Sequence, residues 1–205
     1  MVFISEQDQQ RIRDAIQAVE RKTSGELVTV IAAGSDNYNY IPILWAAIVA
    51  LLLPGPFMFA GHSWFIEHEY ILQLTCFVVL ASLFYIPSIR IRLIPRAVRH
   101  ARAHRHAMEQ FVLNNLPATR EANGVLLFVS VAERYVEIIA DKRVNDVVAA
   151  GTWDKIVQGF TEKVQRGEIA DGFIDAINAS GEILQTHFPF EQGDINELPD
   201  HLIIV

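Results

Sequence analysis

Asn123-Gly-Val-Leu-Leu-Phe-Val-Ser-Val-Ala-Glu-Arg-Tyr-Val-Glu-Ile-Ile-Ala-Asp141 reads as two β-prone runs joined by a turn. Val125 to Val131 is apolar almost throughout, the pattern of a strand buried on both faces. Ala132, Glu133 and Arg134 then turn the chain into Tyr135 to Ala140, which predicts an antiparallel hairpin. Two strands do not enclose a core by themselves, so the flanks must supply the rest. Downstream, Val144, Val147 and Val148 suggest a short helix ending near Gly151. Thr152 is placed to cap a further helix carrying Ile156, Val157, Phe160 and Val164, which Gly167 ends. Ile169, Phe173, Ala176, Ile177, Ser180 and Leu184 form the stripe of a last long helix.

The missing partner lies far upstream. Ser5 with Asp8 marks a capped helix start, and Ile12, Ala15, Ile16 and Val19 fall on one helical face. Gly25 is read as ending that helix, and Leu27 to Ala33 follows as another strand buried on both faces. The expected order is αβ, an interruption, then ββααα, a small mixed sheet between helices. In residue terms the α/β domain has a first part at 1–36 and a second part at 117–188.

The interruption consists of two uncharged apolar stretches, Ile41 to Ala60 and Tyr70 to Ser88. A helix rises about 1.5 Å per residue, so roughly 20 apolar residues cross a hydrocarbon core of about 30 Å. The reading is a transmembrane hairpin over 40–88 with an outer loop at 61–69. Tyr38, Tyr40, Trp45, Trp64, Phe65, Tyr70 and Tyr85 lie near the expected interfaces, and Pro54 and Pro56 flank Gly55 where a helix can stop or kink. A cleaved signal peptide is excluded as the account of the first stretch, because about 40 residues precede it without a short basic start or small-residue cleavage site. Cys76, inside the second stretch, reads as packing.

Arg90, Arg92, Arg96, Arg99, Arg102 and Arg105 follow the hairpin, and no Lys or Arg occurs in the loop at 61–69. Lys and Arg are retained on the cytoplasmic side, so the expectation is a multi-pass protein of the bacterial inner membrane with both termini cytoplasmic. Residues 89–116 are read as a basic juxtamembrane helix, bent at Pro95. Its six arginines bind anionic membrane lipids, at about 1 kcal/mol each, and its less basic second half docks on the soluble domain. Residues 189–205 form an extended tail whose apolar end, Leu202, Ile203, Ile204 and Val205, is read as a docking element that adds a strand to a sheet edge. Its acceptor, whether this molecule, a second copy or another protein, stays open, and a homo-oligomer is compatible with it.

The formal charge of −7 over 205 residues, with the basic segment set apart, leaves a strongly acidic remainder. That excludes nucleic acid as its partner, since phosphate recognition demands a basic surface. Two spans without an ionisable residue are too few for a transport pathway.

The Asn123–Asp141 segment resembles the second and third strands of the TPM domain family, as does the stretch from Trp153 to Gly172. Thr23-Ser-Gly-Glu-Leu-Val-Thr-Val30 is similar to that family's T-x-G-E turn into its first strand. The resemblance covers about 120 residues outside the hairpin. It implies an α/β/α sandwich, here interrupted by the hairpin, and for the bacterial branch a LemA-type membrane protein as partner. Some relatives are credited with acid phosphatase activity or calcium binding. This chain departs from the pattern after the third strand, where Asp141-Lys-Arg-Val-Asn-Asp146 stands in place of a glycine-rich stretch, and the two-span hairpin is not the common layout with one C-terminal span.

A phosphatase needs a nucleophile or metal-bound water and cations for the phosphoryl group, and no P-loop or nucleophile elbow occurs. No catalytic residues are assigned. Glu26, Asp141, Asn145, Asp146, Asp154 and Asp171 can gather at one end of the sheet, as caps and solvated surface or, through Asp141 and Asp146, as a calcium site, because hard cations want several oxygen ligands. No other cofactor is expected. His100, His104 and His106 have zinc-like spacing but sit among arginines whose field opposes a dication. His62, His68, Glu67 and Glu69 read as interface anchors. The reading is a non-enzymatic membrane-anchored adaptor or assembly factor, with a calcium-dependent phosphatase of the same fold as the alternative.

Overall fold

The structure is a computed structural model, and it describes residues 4–53, 55–56, 63–190 and 197–205. The chain divides into two compact units, one made of residues 1–35 and 102–205, the other of residues 36–101.

In the first unit, α1 (Glu6–Glu20) starts at Ser5, whose hydroxyl accepts the Asp8 N–H at 3.1 Å. It leads into β1 (Leu27–Ala32). The long helix α5 (Arg96–Leu113) contributes its second half here. A 3-10 turn (Leu116–Ala118) then precedes β2 (Val125–Ser130) and β3 (Tyr135–Ala140). Three helices follow, α6 (Lys142–Val147), α7 (Thr152–Gln165) and α8 (Ile169–His187), and the chain ends its described course in β4 (Ile203–Ile204). The sheet order is β3-β2-β1-β4. β1 runs parallel to β2, from Leu27 beside Val125 to Ala32 beside Ser130, and parallel to β4, while β2 and β3 form the antiparallel hairpin.

Because strand side chains alternate between faces, the apolar runs supply two cores. Leu27, Ile31, Val125, Leu127 and Ile138 face α1, α7 and α8 and bury with Ile12, Ile16, Phe160, Phe173 and Ile177. Val28, Val30, Leu126 and Phe128 face the other way and bury with Ala107 and Phe111 of α5. The sheet is thus mixed and carries helices on both faces. α1 and α8 approach closely, since a Cβ on Gly181 would lie 2.5 Å from a Val19 methyl.

Gly25 does not end α1. The helix stops at Glu20, and Gly25 is required by packing, because a Cβ there would sit 2.8 Å from Leu184 Cδ2. Thr152 is likewise not the cap of α7 but its first residue; Gly151, at φ 79°, precedes it.

In the second unit, α2 (Tyr40–Leu52) and α3 (Ser63–Phe84) pack against each other, and α4 (Pro87–Leu93) touches both. Tyr38, Ile41 and Ile94 form a small buried cluster. The expected bend at Pro95 is a full break: Ile94 takes extended backbone, as a residue before proline must, and α5 starts afresh at Arg96.

Among the described residues no helix is long and apolar enough to cross a membrane. Within the stretch expected to span from Ile41 to Ala60, α2 ends at Leu52, about 20 Å of rise, and Gly55 and Pro56 are again helical. Pro54 and residues 57–62, including His62, lie outside the described residues. The second stretch extends upstream into a helix whose first two turns hold Glu67 and Glu69. Its apolar portion from Tyr70 to Phe84 rises only about 22 Å before Pro87 opens a new helix.

Candidate functional site

Thr23-Ser-Gly-Glu26 turns α1 into β1, and each of these residues holds a distant part of the chain. The Thr23 hydroxyl donates to the Phe188 carbonyl, the Ser24 N–H donates to the same oxygen at 3.0 Å, and the Asn123 amide donates to the Ser24 carbonyl at 2.7 Å. Glu26 is 5% exposed, and its Oε1 accepts the Glu197 N–H at 3.0 Å. Phe188 and Glu197 are thereby held at the turn between α1 and β1, which borders a cavity of about 320 Å³. The cavity is walled by Gln17, Glu20, Glu26 and Asp200, with Phe190 and Arg21 at its margin.

Three carboxyl groups share this small space. Burial pushes the Glu20 carboxyl up to about 9 from its usual 4.5, and the neighbouring charges of Asp200 and Glu26 push the same way. Glu20 therefore keeps its proton at neutral pH and hydrogen-bonds to Asp200. Gln17 Nε2 donates to Asp200 Oδ2 at 3.4 Å. The cleft can hold a proton and receive donors from a ligand. The described residues contain no group of three or more His, Cys, Asp or Glu side chains placed to hold a metal ion.

The acidic residues expected to gather do not meet. Asp141 caps α6, accepting the Lys142 N–H at 2.6 Å, and Asp146 pairs with the Lys142 ammonium at 2.5 Å on an exposed helix face. Asn145 donates to the Ala140 carbonyl at 2.7 Å, Asp171 pairs with Arg11 at 2.5 Å, and Asp154 stands in the first turn of α7. Of that set only Glu26 belongs to the cleft. Its companions Glu20 and Asp200 were not singled out by the sequence, being 180 positions apart; their meeting in the cavity and the raised pKa of Glu20 mark them.

The histidines also go separate ways. His104 Nδ1 lies 2.9 Å from Glu137 of β3, which accepts the Tyr135 hydroxyl at 3.0 Å. Burial, together with the Glu137 carboxylate, holds the Tyr135 phenol above its usual range. His106 sets its ring edge against Phe128 with centroids 5.3 Å apart. A second buried polar knot closes the β2–β3 turn: Ser35 Oγ donates to Ser130 Oγ at 2.8 Å, Ser130 donates to Glu133, and the Ser35 N–H donates to the same carboxylate at 3.1 Å.

Arg90 and Arg92 stand in the last turn of α4, where Arg90 donates to Asn39 Oδ1 at 3.1 Å, and Arg96, Arg99, Arg102 and Arg105 lie along α5. Glu67, His68 and Glu69 belong to the helical course of α3. The apolar tail has an acceptor within this molecule: Ile203 and Ile204 pair with Val30 and Ile31, and Leu202 is buried in the core between the sheet and α8.

The TPM domain family model matches residues 88–183. Among solved structures, the NMR structure of BA42 protein from the psychrophilic bacterium Bizionia argentinensis sp. nov. is similar with a TM-score of 0.62 and 22% sequence identity, over 99% of this chain and 96% of that one. At that identity the likeness is one of fold. No curated protein matches.

Proposed function

We propose, from the match of the TPM domain model to residues 88–183, that this chain is a non-enzymatic adaptor or assembly factor, held at the inner face of a bacterial membrane by α2 and α3. The observation that carries the reading is the apolar surface of that helix pair. Leu44, Leu51, Leu52, Tyr70, Ile71 and Leu74 are each more than half exposed, and Ile43, Trp45, Val78 and Val79 extend the same surface. Contiguous apolar surface of this extent marks a site covered by lipid or protein. The hydroxyls of α3 agree with a non-aqueous surround. Thr75 donates to the Ile71 carbonyl at 2.7 Å and Ser82 to the Val78 carbonyl at 2.8 Å, so each is satisfied within its own helix.

The arginines then favour lipid over a protein cover. Six of them follow the apolar pair without an acidic residue among them, and cations near an anionic leaflet gain about 1 kcal/mol each. Apolar lengths near 20 Å are accommodated by local thinning of the bilayer. In this reading the pair enters as a hairpin, both termini stay cytoplasmic, and a LemA-type membrane protein is the partner the family suggests. The test is fractionation of cells expressing the chain. It should remain in the membrane pellet after an alkaline carbonate wash, and a cysteine at position 120 should resist external labelling while one at position 63 is labelled. Release into the wash overturns the anchor. Metal-dependent phosphate release that is lost in Asp141→Ala or Asp146→Ala overturns the adaptor in favour of a phosphatase.

A further inference from the structure

β4 is held lightly. It pairs with β1 through two residues, where β2 pairs through six. Val205 N–H donates to the Ile31 carbonyl at 3.0 Å, and Ala33 N–H donates to the Val205 carbonyl at 2.9 Å. Two adjacent aliphatic side chains point to opposite faces, Leu202 into one core and Ile203 against the other, while Ile204 and Val205 stay about half exposed. Two residues upstream of Leu202, Asp200 enters the cleft beside Glu20 and Glu26. A carboxylate beside two others is a poor group to place there, and the contact draws on the proton of Glu20 and on the Gln17 amide at 3.4 Å.

We propose that the edge of β1 is a peptide-binding groove in which residues 200–205 act as a weak self-ligand, and that its partner is an extended segment with a basic residue, one intervening residue and two adjacent aliphatics. Such a segment adds to the sheet parallel to β1, its main chain making the bonds of β4. Its aliphatics replace Leu202 and Ile203. Its basic side chain takes the place of Asp200 and meets the Glu20 and Glu26 carboxyls across the cavity. The purpose of the groove rests on the adaptor reading, whereas its chemistry is independent of the membrane. The self-ligand competes at the millimolar effective concentration typical of a short tether, so its electrostatic misfit is what lets a partner in.

The experiment uses the full chain in mild detergent and two peptides, residues 198–205 and the same peptide with Asp200→Lys. The lysine form should bind about tenfold tighter, the equivalent of about 1.4 kcal/mol, and should slow amide exchange at Ala33. Equal affinities, or no protection at Ala33, overturn the proposal. A variant of the chain itself supplies the second reading. Asp200→Asn relieves the misfit in place and should slow exchange at Ala33 and Val205; faster exchange overturns the proposal. In the unmodified chain Ala33 should exchange well ahead of Val125, whose N–H donates to Glu26 O at 2.8 Å within the β1–β2 pairing. Equal rates would make β4 a permanent strand. Peptide selectivity in a chain that washes off membranes would sink the anchor and leave the groove. A chain that stays in the membrane and does not distinguish the peptides would do the reverse.

Discussion

Glu20→Gln should make the stability of this protein far less dependent on pH. Glutamine keeps the shape of the side chain and a donor for Asp200 but has no proton to lose. In the folded chain burial raises the Glu20 carboxyl to about 9, against 4.5 in the unfolded chain. Between those values the folded state holds a proton that the unfolded state has released. Stability from this group is therefore complete below about pH 4.5, falls as pH rises through the window, and is flat above about 9. One proton of difference gives a slope of about 1.4 kcal/mol per pH unit, hence on the order of 3 kcal/mol between pH 6 and pH 8. Urea unfolding of the full chain in mild detergent, followed by circular dichroism at both pH values, measures that difference. The wild type should lose stability toward pH 8 and the glutamine variant should lose much less. Parallel losses in the two proteins would refute the buried-proton account of the cleft.

Val28→Asp or Leu127→Asp places an unpaired charge in one of the two cores, at positions no more than 1% exposed; each should cost several kcal/mol and abolish cooperative unfolding. Gly181→Val drives a side chain into Val19, where a Cβ already comes within 2.5 Å. Thermal unfolding should show a loss of about 1 to 3 kcal/mol, partly recovered by adding Val19→Ala. Changing Arg96, Arg99, Arg102 and Arg105 together to Gln should weaken binding of the full chain to anionic vesicles in flotation assays. The deficit should shrink at high salt, where charges are screened within a few ångströms, and unchanged binding would count against headgroup attraction.

The strands of the central hairpin are legible because they are continuous apolar runs bounded by turn residues, and Tyr135–Ala140 keeps the limits its sequence suggests. The stripe from Ile169 to Leu184 is legible because its period is regular along most of the nineteen-residue α8. What the sequence hides is long-range. β4 has two paired residues and no periodicity, so its seat beside β1 depends on chain return rather than pattern. Glu20 and Asp200 show no spacing because α1 and the tail supply one each. Hydropathy records composition and not helix ends: α3 starts at Ser63, upstream of Glu67 and Glu69, and Pro87 opens a new helix after it. Gly25 misleads about cause: its glycine is demanded by Leu184, a contact across 159 positions.

The place of residues 36–101 follows from sheet topology. β1 and β2 are neighbours and parallel, and a parallel pair cannot be joined by a tight turn; it needs a crossover of a dozen or more residues, usually with a helix. The second half of α5 serves as that helix, burying Ala107 and Phe111 against Val28, Val30 and Phe128. The two apolar helices are an elaboration of a connection the fold requires in any case. Lengthening such a connection is cheap, because each doubling of a loop costs only about 0.6 kcal/mol in closure entropy. Replacing residues 36–101 by a flexible glycine-serine linker of about ten residues should therefore leave residues 1–35 and 102–205 folded, with the β1–α5–β2 crossover intact. The shortened chain should unfold cooperatively in urea without detergent, and amide exchange should still protect the β1–β2 pairing from Leu27 to Ala32. A shortened chain with no protected amides in β1 would show that the sheet needs the helix pair for more than connection.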